Sequence, residues 1–539
     1  NNPFVDIACH GEGETSFLSI LENCIIKDWD KVPSISYIDG DNRLVQNPRC
    51  ERISDLSTIP SPYLDGVFDQ LMEAYPNEQC IILWETNRGC PFSCSYCDWG
   101  TATHARVYAY DLERIFKEVD WFSNRKIEFI YCCDANFGIL KRDIEIVNYV
   151  AENKRKYGYP KALSVQNTKN STERSYEIQK VLSDAGLNKG VTLSLQSMNI
   201  ETLKSVNRQN ISVEVFQELQ HKFTADNVET YTDIILALPE ETYETFKDGV
   251  SFVIENGQHN RIQFNNLSLL PNAEMGSTEY QRKYNFVIRE TKIINVHGSL
   301  ADTEEIYETQ QLVIGTNAMP TEDWVKARIF SWMTSFLHFD KVLQIPLIIL
   351  NMVCSIRFKD LIEVFTEGVA SPTLSEIHTF FYDKAIDIQN GGAEYCESKE
   401  WLNIWWPADE LILIKLCTEN KFGLFYAEAE KGLSRFLKKR GLSLPPDLLH
   451  EAILCNSKLI KLPFQKEDLI IELSYNIWEI YQAALRGKSI SLENGKRKYL
   501  IDRSSLTWSS WEDWCREVVW YGNKKGAYLY SCKQNESKK

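Results

Sequence analysis

The chain has 539 residues, more than a single core serves, so roughly two to four domains are expected. Its net charge of −16 argues against general phosphate-backbone binding, which Lys and Arg carry, and no nucleic-acid partner is expected. Apolar residues make up 44% and charged residues 25%, an ordinary globular balance, and the 15 cysteines show no disulfide-framework spacing, so a reducing, cytoplasmic compartment is expected.

The chain opens Asn1-Asn2-Pro3 without Met, and residues 4–8 read as the end of a strand. An upstream part is therefore expected to be missing, and no signal segment is seen. Gly11-Glu12-Gly13-Glu14 turns into a helix with Phe17, Ile20 and Leu21 on one face. Residues 28–79 form a connector. In it, 35–38 and 44–45 flank Asp39-Gly40-Asp41-Asn42, a hairpin signal, and Pro60 and Pro62 mark an extended stretch.

From 80 to 275 strand-like runs (81–85, 127–132, 162–166, 191–196, 230–236, 262–269) alternate with amphipathic helical ones. Six such units predict a parallel α/β sheet, barrel-like or doubly wound, with its chemistry at the C-terminal strand ends. After 276 the alternation stops. Residues 300–490 read as mainly helical, a hairpin is expected over 489–502 turning at Asn494-Gly495, and 533–539 reads as a disordered tail. The most apolar run, 342–356, is interrupted by Gln344, Pro346 and Asn351 and is too short to span a bilayer. It reads as a buried helix pair, with membrane-surface contact as the alternative. No transmembrane segment is expected.

The sharpest signal is Arg88-Gly89-Cys90-Pro91-Phe92-Ser93-Cys94-Ser95-Tyr96-Cys97, directly after the first of the six strands. Three thiolates on one tight loop can hold three corners of an iron–sulfur cubane and leave the fourth iron without a protein ligand. Structural zinc wants four closed ligands. Only His104 lies close enough in sequence to be weighed as a fourth, in which case the loop would be a zinc knuckle of a non-catalytic interaction protein.

Cys-x3-Cys-x2-Cys with an aromatic before its last Cys, after the first strand of a βα series, resembles the radical S-adenosylmethionine superfamily. The resemblance implies a 4Fe-4S cluster on Cys90, Cys94 and Cys97. It implies S-adenosylmethionine at the open iron, cleaved reductively to a 5′-deoxyadenosyl radical, with an external one-electron reductant of flavodoxin or ferredoxin type. It places the cofactor's contacts at Tyr96 (backbone, adenine), at Asp134 or Asn136 after the second strand, at Gln166 and Gln196 after the third and fourth, and at Arg208. Plain alternatives are a helix N-cap for Asp134 or Asn136 and a surface salt bridge for Arg208. Leu238-Pro239-Glu240-Glu241-Thr242 resembles a turn of the same subgroup, with Glu240 where Gly is usual.

Residues 5–14 resemble the closing strand and helix of a cobalamin-binding domain, which implies cobalamin contacts at Gly11 and Glu12 and reads His10 as a loop residue. The expected organisation is α/β: the end of a Rossmann-like cobalamin-binding domain (1–27), a hairpin linker (28–79), a partial (β/α)6 TIM-like barrel (80–275) and a mainly helical C-terminal region (276–532). The expected function is cobalamin-dependent methyl transfer to an unactivated carbon of a small-molecule or natural-product substrate. A radical rearrangement, oxidation or cyclisation without methyl transfer is the alternative. Trp405, Trp406, Trp508, Trp511 and Trp514 read as core or interface residues, with the lining of a substrate cavity as the alternative.

Overall fold

Where side chains alternate in character every second residue the chain forms strands, and where the period lengthens it forms helices. The computed structural model describes residues 4–102, 106–168, 173–188, 190–300, 307–368, 371–523 and 526–534. The fold is mixed α/β and divides into two compact units. The first comprises residues 1–168, 177–188 and 272–274; the second holds 169–176, 189–271 and 275–539.

In the first unit β1 (Ile7–Cys9) pairs antiparallel with β2 (Ile35–Ile38), which pairs antiparallel with β3 (Leu44–Gln46). The expected hairpin is thus formed. Asp39 Oδ1 holds its turn by accepting from the N–H groups of Asp41 (3.0 Å) and Arg43 (2.8 Å). The helix Gly13–Asn23 follows β1, and Phe17 and Leu21 on its apolar face are exposed.

Further along, β4 (Ile81–Trp84), β7 (Phe129–Cys132) and β8 (Ala162–Ser164) make a parallel sheet in the order β4-β7-β8, with Trp84 opposite Cys132. Between the first two, β5 (Asn87–Arg88) and β6 (Tyr108–Ala109) pair antiparallel. The helices Leu112–Asn124 and Asp143–Tyr157 bury Ile115, Val119, Phe122, Val147 and Val150 with Trp84, Ile130, Cys132 and Leu163. Phe122 stands edge-on to Trp84 at 5.7 Å, and its truncation to Ala would cost about 3–5 kcal/mol. The Trp84 indole N–H donates to buried Glu118 at 2.9 Å, so the core's largest side chain has its polar atom satisfied.

In the second unit β9 (Val191–Thr192), β10 (Thr230–Leu236) and β11 (Arg261–Asn266) are again parallel, with β10 central. All six expected strands are therefore formed, three in each unit. Strand β9 is shorter than expected because the chain leaves the ladder and rejoins β10 at Gln196, whose φ is +66°. The helix Tyr243–Glu255 starts at a capping box of Thr242 and Thr245. Next comes an antiparallel sheet of β12 (Ser268–Leu269), β13 (Val287–Lys292) and β14 (Thr309–Gly315), with β14 in the middle. The remainder is mainly helical, as expected.

Three expectations need correction. No hairpin turns at Asn494-Gly495. Both residues open a single strand, Asn494–Asp502, which pairs antiparallel with Leu469–Tyr475 and with Ser531–Gln534. The alternating Lys496–Ile501 stretch favours continuation of the strand over a turn. Lys533 and Gln534 belong to that sheet and not to a tail. The apolar run 342–356 is one helix, Gln344–Cys354, with residues 344–350 buried. No single described helix is long and apolar enough to cross a membrane; Thr321–Phe339 and Gln344–Cys354 reach that length only together, bent by 92°. Trp406, Trp508 and Trp514 are buried, as expected of core aromatics, whereas Trp405 and Trp511 are only half-buried.

Candidate functional site

The cysteine loop leaves β5 through Gly89, whose φ of +130° is closed to other residues. A Cβ there would lie 1.9 Å from the carbonyl oxygen of Arg106. At the far end, a Cβ on Gly100 would lie 1.8 Å from the carbonyl oxygen of Phe92. The two glycines thus pull the loop tight against its own neighbours. Cys90 and Cys94 are buried, Cys97 is half-buried, and the Cys97 N–H donates to the Cys94 carbonyl at 3.0 Å.

This donor set fits a three-thiolate cluster. A tetrahedral zinc would draw its thiolates to about 3.8 Å from one another, given Zn–S bonds near 2.3 Å. A cubane asks each thiolate to serve its own iron and so keeps them apart. Among the described residues no group of three or more His, Cys, Asp or Glu side chains is placed to hold a metal ion, so the fit rests on the chemistry of the three thiolates. His104 lies outside the described residues.

Behind the loop stands Asp134, after β7. Its Oδ1 accepts from the N–H groups of Thr86 (2.7 Å) and Asn87 (3.1 Å), and its Oδ2 from Asn87 Nδ2 (2.7 Å) and the Thr86 hydroxyl. All four acceptor directions are thereby used within the protein. Burial pushes this carboxyl up to about 7, against the donors from Thr86 and Asn87 that pull it down. Asp134 therefore fixes the end of β4 and the start of β5, the stem from which the cysteine loop grows.

Asn136 is fully buried and turns the other way. Its Nδ2 lies 3.1 Å from Cys90 Sγ, and among the described residues its Oδ1 has no partner. Neither Asp134 nor Asn136 caps the helix Asp143–Tyr157, which starts from Arg142. Gln166 follows β8, accepts at its carbonyl from the Phe137 N–H (2.7 Å) and donates Nε2 to the Tyr131 hydroxyl (3.2 Å). Tyr96 is half-buried in the loop.

The turn before the first helix is joined to the same stem. Gly11 takes φ +78° with open space around it. Glu12 accepts the Ile53 N–H at 2.6 Å and lies 3.4 Å from Arg52 and 3.6 Å from Arg88. Arg88 also binds Glu14 at 2.8 Å and Glu85 at 2.8 Å. The His10 imidazole meets the Ser36 hydroxyl at 2.6 Å, as fits a loop histidine.

In the second unit, Gln196 follows β9, and Arg208 follows the helix Ile200–Ser205 and reaches back to the segment after β9. Arg208 is buried, which rules out a surface salt bridge. Its guanidinium donates to Asn210 Oδ1 at 2.7 Å and to the Ser194 carbonyl. Among the described residues the buried Oε1 of Gln196 has no partner. Beyond β10, Glu240 takes φ +64°, the conformation that favours the Gly usual at this place in the resembling turn. Glu241 is fully buried, accepts from the Ser197 hydroxyl at 2.6 Å, and leaves its Oε2 unpartnered. Burial pushes it up to about 8.

The same unit contains a cavity of about 730 Å3 whose wall includes Arg261, Asn266, Arg328, Glu394 and Asp409. Sequence reasoning missed this wall and the Arg88 network. The signal for the cavity was the one Arg within the mostly apolar stretch Ala327–Phe339, and for the network an Arg two residues before the first Cys.

Comparison with known proteins agrees with the loop. Residues 84–253 match the profile of the Radical SAM superfamily. The cobalamin-dependent radical SAM methyltransferase TokK of Streptomyces tokunonensis is 37% identical over 342 residues, 62% of this chain and 50% of that protein. The 2-(S-pantetheinyl)-carbapenam-3-carboxylate methyltransferase of Streptantibioticus cattleyicolor is 38% identical over 341 residues, again 62% and 50%. The chain thus spans about half the length of the curated relatives it matches. Among solved structures, the cobalamin-dependent S-adenosylmethionine radical enzyme OxsB is similar with a TM-score of 0.44 at 14% identity, over 84% of this chain and 68% of that one.

Proposed function

From a chain whose residues 84–253 belong to the Radical SAM superfamily, we propose a cobalamin-dependent radical S-adenosylmethionine methyltransferase that methylates an unactivated carbon of a small-molecule carboxylate. The observation that carries the proposal is the Cys90, Cys94 and Cys97 loop, pinned by two glycines at the C-terminal end of β4. The two methyltransferases that share 37% and 38% identity supply the reaction class, and one of them is named for a carbapenam carboxylate. The six successive βα units are read as one incomplete (β/α)6 barrel, a reading supported by parallel pairing within each three-stranded sheet. Residues 1–27 are read as the end of the cobalamin-binding domain, and a flavodoxin- or ferredoxin-type protein as the electron donor.

A 4Fe-4S cluster on the three thiolates would supply the electron that cleaves S-adenosylmethionine. The chain's own residues do the positioning. Asp134 holds the loop's stem through Thr86 and Asn87. Asn136 donates to the sulfur of Cys90, which stabilises negative charge there. Among the described residues the remaining Oδ1 of Asn136 is a buried acceptor in want of a donor, as fits a contact to an amino or hydroxyl group of a bound cofactor. Glu12 and Arg88 tie the cobalamin-side turn to the strand that leads into the cysteines.

The test is anaerobic reconstitution with iron and sulfide, then incubation with S-adenosylmethionine, methylcobalamin, reductant and the pantetheinyl carbapenam acid. Formation of 5′-deoxyadenosine, S-adenosylhomocysteine and a methylated product is expected. Absence of 5′-deoxyadenosine sinks the radical reading. Its formation without S-adenosylhomocysteine would favour a rearrangement, oxidation or cyclisation.

A further inference from the structure

Two arginines face the cavity of the second unit, and their surroundings differ. Arg261 lies 3.3 Å from Asp340 and 3.5 Å from Asp409, so its charge is met within the protein. Arg328 is only 6% exposed, and among the described residues its guanidinium has neither a hydrogen bond nor an ion pair. A buried cation without a partner is costly, and a stable fold keeps one where something else supplies the counter-charge.

The helix Thr321–Thr334 aims this cation. Arg328, Trp332 and Ser335 follow at four- and three-residue steps, so they share one face, and all three line the cavity. The guanidinium lies over the Trp332 ring at 4.4 Å, which fixes its plane. Burial lowers its proton affinity and Glu394 opposes that; the group stays charged throughout the working pH range. Glu394 does not cover the fork, because its own carboxylate accepts from Asn266 Nδ2 (2.7 Å) and Gln310 Nε2 (2.5 Å).

We infer that this cavity binds the carboxylate of an amide-bearing small-molecule acid and that Arg328 is the residue that reads that carboxylate; the inference rests on the methyltransferase reading for the molecule delivered there. A planar fork with both edges unoccupied matches a carboxylate bidentately. Glu394, Asp409 and Glu410 also face the space, and they would repel a phosphate dianion more than a carboxylate. The rest of the wall is rich in carboxamides, from Gln263, Asn265, Asn266, Gln310 and Asn523. Asn266 Oδ1 is buried and has no partner among the described residues, so it is ready to accept an amide N–H. The volume of about 730 Å3 is that of a pocket for a drug-sized molecule.

The test uses the reconstituted full chain and calorimetry with two probes, 2-(S-pantetheinyl)-carbapenam-3-carboxylate and its primary amide. Wild type is expected to bind the acid about 10- to 100-fold more tightly than the amide, as a hydrogen-bonded charge pair is worth. R328Q is expected to bind both alike, and R328K to recover part of the preference. A purely structural arginine would make ligand-free R328Q melt below wild type. A ligand-binding one, unpartnered at rest, predicts an equal or higher melting temperature. The inference is overturned if wild type binds acid and amide equally or binds neither, if the preference survives in R328Q, or if ligand-free R328Q melts below wild type. Failure of wild type to form 5′-deoxyadenosine would instead overturn the methyltransferase reading and leave the acid–amide comparison standing.

Discussion

Asp134 and Arg328 are both buried charges, and they are treated in opposite ways. Asp134 meets four donors from two residues, while Arg328 meets an aromatic face and, among the described residues, no hydrogen bond or ion pair. Each lies beside a place where a ligand is proposed, so burial alone does not separate them. The difference lies in the task. Around the cysteine loop the protein spends its polar groups on holding backbone still. In the second unit's cavity it leaves polar groups unspent, which is what recognition of an outside molecule requires.

The largest effects should come from the loop. Cys90→Ala, Cys94→Ala and Cys97→Ala should each abolish formation of 5′-deoxyadenosine and the bound iron, read by product analysis and iron content. A variant that keeps full iron and activity would remove that cysteine from the ligand set.

The next effect tests the claim that Asp134 is a brace. Asp134→Ala leaves two backbone N–H groups and two side-chain donors without their acceptor, which should cost about 3 kcal/mol or more. Asp134→Asn keeps the shape but turns an amide NH2 toward donors, so it too should lower the melting temperature. If Asp134→Asn melts like wild type, the four bonds do not hold the stem and the contrast with Arg328 fails.

Glu241 extends the comparison, since it is buried with one oxygen satisfied and one not. Burial raises it from 4.5 to about 8, so between those values the folded chain binds a proton that the unfolded chain has lost. Its contribution to stability is therefore fully present below the unfolded value and is lost as the pH rises through the folded one. The slope inside the window is about 1.4 kcal/mol per pH unit, so about 2 kcal/mol should go between about pH 6 and pH 7.5. Glu241→Gln should flatten that dependence in denaturant titrations. An unchanged slope would assign the pH dependence to other groups.

The sequence made the strands legible, because the period changed from two to helical six times between 80 and 275 and each change is a strand in the structure. The cysteine loop was legible for a local reason: three ligands within eight residues, with Pro and Gly beside them, need no tertiary information. The strand-end contacts were less legible. Asn136 was read as a contact to the cofactor, yet one edge of its amide is on Cys90, 46 residues away in the chain. Arg208 was read as a cofactor contact with a surface salt bridge as the alternative, and its bonds to the Ser194 carbonyl and Asn210 are invisible to periodicity. Asn494-Gly495 carries the composition of a hairpin turn, but pairing on both sides of Asn494–Asp502 overrides it. Arg328 was visible as a charge among apolar residues, but its lack of a partner is a property of the packed interior alone.

The smallest expected effect is also the one that joins the two kinds of site. Asn136 is half spent and half unspent: Nδ2 donates to Cys90 Sγ at 3.1 Å, and Oδ1 is buried without a partner among the described residues. A donor to a cluster thiolate favours the reduced, more negative state, so it should raise the reduction potential. If the bond gains about 1 kcal/mol on reduction, Asn136→Ala should lower the potential by about 40 mV in an EPR-monitored titration. The same variant loses the Oδ1 acceptor, so affinity for S-adenosylmethionine should fall as well. A shifted potential with unchanged affinity would make Asn136 a holding residue like Asp134. An unchanged potential with weakened affinity would make it a recognising residue like Arg328, and the bond to Cys90 would then have no part in tuning the cluster.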